Sequence, residues 1–235
     1  MASLNLCIDI GNTTTKAALY KAGIELKYYP LFTVKDFEEI IKNQEVRILV
    51  SKTGSNALLE EKLSEENYLS HKTALPIELN YDTPETLGAD RIATAVGAFA
   101  MSKEAAWLVI DLGTCLTIDL VANGSFEGGV ISPGAAMRFK AMHEFTAALP
   151  QVKFNNKVSF PGKTTEESMQ VGVYQSIVNE IKGYVGQLEQ QFKALKIVDC
   201  SRFKIDFDKE VKKEIFARPK LVLEGLNFLL EQNVQ

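Results

Sequence analysis

Two short stretches carry the residue types that chemistry on a polyphosphate needs. The first is LNLCIDIGNTTTK, Leu4 to Lys16. Asp9 closes an apolar run there, and Gly11 permits a tight reversal close to a ligand. Ile10 separates the two, Asn12, Thr13, Thr14 and Thr15 offer an amide and hydroxyls, and Lys16 offers a positive charge. A magnesium-bound polyphosphate asks for that set. The carboxylate holds the metal, directly or through water, while backbone N–H groups, hydroxyls and the lysine face the phosphate oxygens. A single Asp-x-Gly-x-Thr is also what a plain turn between hairpin strands looks like. This chain, however, has a second copy: AWLVIDLGTCLTID, Ala106 to Asp119, repeats the plan with Asp111, Gly113 and Thr114. The two aspartates are about 100 residues apart, a repeat at domain spacing. Two related halves are implied, each presenting an Asp-Gly-Thr turn to a shared cleft with a nucleotide between them.

The elements that must position these turns follow from the pattern. Leu4 to Ile8 reads as a buried strand, Ala17 to Tyr20 continues beyond the loop, and Lys21-Ala22-Gly23 turns the chain into a returning strand from Glu25 to Phe32. Phe37, Ile40 and Ile41 mark a short helix, Val46 to Val50 a buried strand, and Ser51 to Asn56 a polar loop whose Asn56 caps a helix through Leu63. Strands interleaved with helices mean an α/β class with a mixed sheet. After an extended Leu75–Tyr81, Asp82 or Thr83 starts a turn before Pro84. Gly88 then breaks the chain before an alanine-rich helix from Asp90 to Met101. Asp90 and Arg91 therefore fall at a helix N-terminus, where N–H groups are unpaired. The plain alternative has Asp90 as a cap and Arg91 in solvent.

In the second half the strand at Trp107 leads through Asp111 to Cys115–Val121, and the Asn123-Gly124 pair signals a hairpin into Phe126–Ile131. Ser132-Pro133-Gly134 introduces a helix with Met137, Met142 and Phe145; its Arg138 and Lys140 are surface charges, or one of them reaches a phosphate or a neighbouring subunit. A loop from Pro150 to Thr164 precedes a long helix, Thr165 to Phe192, whose stripe Met169, Val173, Ile177, Ile181, Tyr184 and Leu188 is core or a dimer interface. Ile197-Val198 is strand-like, and an apolar helix from Leu221 to Glu231 closes the chain.

Composition bounds the function. The 235 residues hold one large or two modest domains. Net charge is −4, from 26 Lys and Arg against 30 Asp and Glu, without a basic block, which argues against a nucleic-acid partner. No apolar run has the length of a membrane span and no signal-type segment opens the sequence, so a cytoplasmic protein is expected. Cys7, Cys115 and Cys200 read as buried free thiols, and with only His71 and His143 no zinc site is expected.

Taken together, these segments resemble the type III pantothenate kinases, members of the superfamily of actin, hexokinase and the heat-shock chaperone ATPases. The resemblance rests on Asp9-Ile10-Gly11-Asn12-Thr13 through Lys16, Gly88-Ala89-Asp90-Arg91, Asp111-Leu112-Gly113-Thr114 with Thr117, and Gly128-Gly129-Val130-Ile131-Ser132-Pro133-Gly134. A looser fifth segment is Gly162-Lys163-Thr164-Thr165 with Met169-Gln170 and Gly172. It implies two ribonuclease-H-like, actin-like ATPase domains with mixed sheets, residues 1–105 and 106–235, with a cleft between them, in a homodimer.

The resemblance also implies roles. Asp9 to Lys16 forms the first phosphate loop for ATP with Mg2+, and Thr114 touches ATP. Asp90 is the general base toward the pantothenate hydroxyl. Tyr81, Gly88, Ala89 and Arg91 hold pantothenate, joined by Thr165 from the partner's side. Asp111 binds a monovalent cation, K+ or NH4+. Each role has a physical counterpart: phosphoryl transfer needs charge neutralisation and in-line positioning, a base needs hydrogen-bond reach, and the arginine fork suits a carboxylate. Two departures stand out. The family's Thr-Gly-Gly after the late strand is replaced by Asp199-Cys200-Ser201-Arg202, which bears on the adenine side of the pocket, and Thr164 stands where asparagine is common. The rival functions are a non-catalytic nucleotide- or pantothenate-binding regulator of the same fold, and a different kinase or phosphatase of the superfamily, such as a sugar kinase.

Overall fold

The structure is a computed structural model and describes residues 3–42, 44–201, 211 and 213–232. The chain divides into two compact units, each assembled from separate pieces. One contains the residues up to Glu104, the segment Val121–Gly128 and the chain from Lys220 onward; the other contains Ala105–Leu120 and Gly129–Pro219. The sequence expectation was a single break after residue 105. The closing helix and a hairpin tip instead go with the first unit, because they pack there.

The first unit is built on strands β1 (Leu4–Ile10), β2 (Thr15–Lys21), β3 (Ile24–Tyr29) and β4 (Val46–Lys52), in the order β3-β2-β1-β4. β2 is antiparallel to β1 and to β3, and β4 is parallel to β1, so the sheet is mixed as expected. Ala22 and Gly23 both have positive φ, 49° and 76°, the conformation of a tight hairpin turn. One face of β1 (Leu6, Ile8, Ile10) joins Phe32, Phe37, Ile40, Val50 and Leu59 in a core under helix α1 (Val34–Ile41). Asn56 does cap a helix, α2 (Ala57–Glu60), but it is only four residues long rather than reaching Leu63.

The other face of β1 carries Asn5, Cys7 and Asp9. Helix α3 (Ala89–Met101) and the closing helix, labelled α6 (Leu221–Gln232), pack together in this unit. Small residues let them approach: a Cβ on Gly225 would overlap the Ala93 carbonyl oxygen. Asn5 fixes α6 to the sheet. Its amide donates to Asn227 Oδ1 at 2.8 Å and Glu231 Oε1 at 2.6 Å, while its own oxygen accepts from Arg47 Nε at 3.0 Å.

The second unit repeats the plan. β6 (Trp107–Leu112), β7 (Cys115–Ala122), β8 (Ser125–Pro133), β9 (Lys196–Asp199) and β10 (Ile215–Ala217) lie in the order β10-β9-β6-β7-β8. Read outward from the first strand, β8-β7-β6-β9 has the topology of β3-β2-β1-β4, with β9 parallel to β6 as β4 is to β1. Asn123 and Gly124 turn the β7–β8 hairpin with φ of 54° and 75°. Its tip belongs to the first unit, where the two-residue β5 (Glu78–Leu79) pairs with β8 in parallel. Helices α4 (Ala135–Glu144) and α5 (Thr165–Glu189) complete the second unit. The α5 stripe is core: Met169, Val173, Ile177 and Ile181 are buried, with Tyr184 and Leu188 packed against them. Phe145 departs from expectation, standing at the end of α4 and largely exposed. Arg138 is not a free surface charge. It donates to Pro133 O, Ser132 Oγ and Ser176 Oγ and pairs with Glu180 at 2.6 Å, tying α4 to α5. Cys7 and Cys200 are buried free thiols; Cys115 is half-buried.

Candidate active site

The first loop is set by strand pairing. Asp9 and Ile10 end β1, Gly11 to Thr14 make the turn, and Thr15 and Lys16 begin β2. Asp9, buried at 9% exposure, is the register partner of Lys16 on β2 and of Ser51 on β4. Partners on neighbouring strands project from one face, so Lys16, Asp9 and Ser51 form a polar row across the sheet's end. The turn is narrow: Gly11 N donates to Thr14 O at 3.2 Å. It rests on the end of β4, where Thr53 and Gly54 donate to Ile10 O at 2.9 and 2.8 Å. A Cβ on Gly54 would overlap the Gly11 carbonyl, so no larger residue fits under the loop. Asn56 Nδ2 donates to Thr15 Oγ1 at 3.0 Å. Asn12 and Thr13 are exposed, and the buried hydroxyls of Thr14 and Ser51 have no hydrogen-bond partner among the described residues. The Thr14 oxygen, in the turn that follows a carboxylate, fits contact with an oxygen-bound cation or a phosphate.

Asp90 and Arg91 open α3 as expected. Gly88 precedes the helix, and Asp90 Oδ1 accepts the Arg91 N–H at 2.8 Å. Burial pushes the Asp90 carboxyl above its usual range, opposed by that N–H and by the Arg91 charge. Arg91 is not solvated: it is 6% exposed, with its guanidinium carbon 5.8 Å from the Tyr81 ring centre and 5.4 Å from that of Phe126. Those rings meet edge to face at 5.9 Å. Asp9, Tyr81, Gly88, Ala89, Asp90 and Arg91 thus all belong to the first unit.

The second unit holds the other predicted residues. Asp111 lies near the end of β6, and the turn after it is short, with Gly113 N donating to Cys115 O at 2.8 Å and Thr114 exposed. Gly134 sits against this turn, donating to Thr114 O at 3.0 Å, with no space for a side chain. Thr165 begins α5, which Thr164 caps by accepting the Glu167 N–H at 3.1 Å. An open depression lined by Met142, Leu149, Lys163, Thr164, Thr165 and Ser168 surrounds that start. Among the described residues, no group of three or more His, Cys, Asp or Glu side chains is set to hold a metal ion.

The sequence profile of the type III pantothenate kinases matches residues 5–187 of this chain. The chain belongs to the type III pantothenate kinase family. It is 37% identical over 240 residues to the type III pantothenate kinase of Bacteroides fragilis, covering 98% of both chains. To that of Cytophaga hutchinsonii it is 35% identical over 238 residues, covering 98% of this chain and 100% of the relative. Solved sugar kinases share the fold. A ROK family glucokinase from Streptomyces griseus, in complex with glucose and AMPPNP, superimposes with a TM-score of 0.53 at 12% identity, covering 98% of this chain and 100% of that one.

Against this family background, two residues to which the sequence reading gave no role at the site stand out. Phe126 lies under Arg91, and its only sequence signal is a hairpin strand. Ser201 lies in the segment that lacks the family's glycines. Its Oγ accepts the Leu112 N–H at 2.7 Å, next to the Gly113 turn, while Cys200 N donates to Ile110 O at 2.9 Å. The glycine-free segment is thus stitched to β6; Arg202 lies outside the described residues.

Proposed function

We propose that this chain is an ATP-dependent pantothenate kinase, making phosphopantothenate in the first step toward coenzyme A. One observation carries the reading. A single buried helix start presents a carboxylate that burial has made more basic and a guanidinium held beside two aromatic rings. A base and a carboxylate receptor side by side suit a substrate bearing both an alcohol and a carboxylate.

Arg91 binds the pantothenate carboxylate through its planar fork, with Tyr81 and the Gly88-Ala89 backbone alongside and Thr165 contributed from the partner's side. Asp90 takes the proton from the hydroxyl as its oxygen attacks the γ-phosphorus. The bond from that phosphorus to the bridging oxygen breaks, and ADP leaves with the electron pair. Asp9 holds magnesium, and the Gly11–Thr14 turn with Thr15 and Lys16 holds the phosphates; Thr114 contacts ATP. Magnesium supplies charge neutralisation on the phosphates. Asp111 holds K+ or NH4+, a role carried over from the family resemblance. The family resemblance supports a homodimer in the cytoplasm.

Purified protein with ATP, magnesium, potassium or ammonium and pantothenate should release ADP, and little without pantothenate. ADP release with a sugar in place of pantothenate, or binding without turnover, refutes the proposal. Gel filtration tests the dimer.

A further inference from the structure

The β7–β8 hairpin tip is the part of its sheet that goes with the first unit, and β5 pairs with it there. Both features have one consequence. Glu78 N donates to Gly124 O at 2.9 Å and Asn80 N to Phe126 O at 3.0 Å, while the Asn80 amide donates to Glu127 Oε2 at 2.8 Å. Three bonds therefore fix a two-residue strand whose continuation is Tyr81. They set the Tyr81 ring edge to face against Phe126, at 5.9 Å and 67°. Arg91 meets this pair from α3, within the range of attraction to both rings. Phe126 is fully buried and Arg91 nearly so.

An arginine side chain free in solution loses much rotamer entropy when it grips a ligand. One already held against two rings loses less, and its fork points one way before the ligand arrives. Burial also strengthens the attraction between guanidinium and ring faces by removing competing water. Phe126 has no polar atom with which to touch a substrate carboxylate, so it acts only through Arg91.

We infer that Phe126 is a positioning residue for substrate binding: the hairpin tip and β5 form an aromatic seat that orients Arg91 toward the substrate's carboxylate. The inference rests on the pantothenate reading above and goes beyond it in assigning the tip a role in substrate specificity. The substrate class it implies is an alcohol carrying a terminal carboxylate, not a neutral sugar.

Steady-state kinetics on the full chain test this. Phe126→Leu keeps most of the buried volume and removes the ring. It should raise the pantothenate KM by about 5- to 30-fold, the loss of one desolvated cation–ring contact. The ATP KM should stay within about twofold, since the phosphate loop does not involve Arg91, and kcat should change far less than the pantothenate KM, since Arg91 reaches the chemistry only through its charge beside Asp90. Phe126→Tyr keeps a ring and should restore a KM near wild type. Arg91→Lys should raise the same KM, and adding Phe126→Leu to it should raise it little further, because the seat then has no fork to aim. An unchanged pantothenate KM in Phe126→Leu overturns the inference, as does an equal rise in both KM values or full additivity with Arg91→Lys. If Phe126→Leu does not fold, Tyr81→Leu removes the other, half-buried ring; a normal pantothenate KM in that variant overturns the inference equally. Wild-type protein inactive on pantothenate sinks the parent reading and this one together, whereas an active wild type with an unaffected Phe126→Leu sinks only this one.

Discussion

Replacing Asp90 with asparagine separates chemistry from folding in one variant. Asparagine has nearly the same shape, and its Oδ1 can still accept the Arg91 N–H now held at 2.8 Å, so the start of α3 should persist. What goes is the basic oxygen. Loss of a general base lowers turnover by roughly 100- to 10,000-fold, or about 2.7 to 5.4 kcal/mol of barrier. Stability should move the other way. Burial raises the folded carboxyl above its ordinary value of 3.8, outweighing the Arg91 N–H and charge. In the window from that value up to the raised one, the folded wild type binds more protons than the unfolded chain. Its stability therefore falls as pH rises through the window. The asparagine variant has no such proton to lose. Its melting temperature relative to wild type should climb across that window and level off above it. The same ionisation sets the acid limb of kcat/KM in the wild type, which should titrate above the usual carboxylate range. ADP release coupled to an optical readout gives the rates, and thermal melts from mildly acidic to neutral pH give the stability. A folded Asp90→Asn protein with near-normal turnover refutes the base assignment. A melting difference that stays flat with pH refutes the burial argument.

Three further substitutions probe the scaffold. Gly54→Ala places a methyl into the Gly11 carbonyl and must displace the first loop; the ATP KM should rise at least about tenfold, as for a misplaced phosphate cradle, with the pantothenate KM little changed, and equal ATP KM values would contradict the packing. Gly225→Ala forces α6 away from the Ala93 carbonyl; denaturant melts should show a loss of about 1–3 kcal/mol, the usual penalty of overpacking, and unchanged stability would mean that the helices do not meet so closely. Ser51→Ala deletes a fully buried hydroxyl without a partner; stability should hold or rise by up to about 1 kcal/mol, and a clear loss would reveal a hydrogen bond that the static arrangement lacks.

Much of the fold was legible because turn chemistry punctuates it. Lys21-Ala22-Gly23 and Asn123-Gly124 fixed two hairpins, and an alternating or continuous apolar pattern lay on either side. α2 was overestimated because Leu58, Leu59 and Leu63 have helical spacing while only Leu59 is fully buried; Leu58 faces solvent, and past Glu60 the backbone tightens to three-residue turn bonds, Lys62 N to Leu59 O and Leu63 N to Glu60 O. The return of α6 to the first unit was not legible, since periodicity shows which face of a helix is apolar and not which partner covers it. The only hint was the alanine- and glycine-rich run of α3, which signals that some backbone comes close. At the candidate site, Asp9, Asp90 and Arg91 were singled out as candidates by type, position and family resemblance. Phe126 and Ser201 did not, because a buried phenylalanine in a strand and a serine after one are ordinary until their contacts are known.

The two copies of the motif sit on the same topology, and the turns that follow them differ in ways that suit the two roles proposed for them. Asp9 and Asp111 sit near the ends of equivalent strands, and in both units a parallel neighbour, β4 or β9, supports the turn that follows. The turns themselves differ. Gly11 to Thr14 is longer, exposes Asn12 and Thr13, and keeps an unpartnered hydroxyl at Thr14. Gly113-Thr114 is shorter and braced from two sides, by Gly134 on Thr114 and by Ser201 on Leu112. A loop with free donors can adapt to phosphates whose charge redistributes during transfer, whereas a braced loop suits a fixed contact that only has to bind. The absence of the family's glycines after β9 follows the same logic. Ser201 uses its side chain to hold the second turn in place, a bond that glycine in that position could not make.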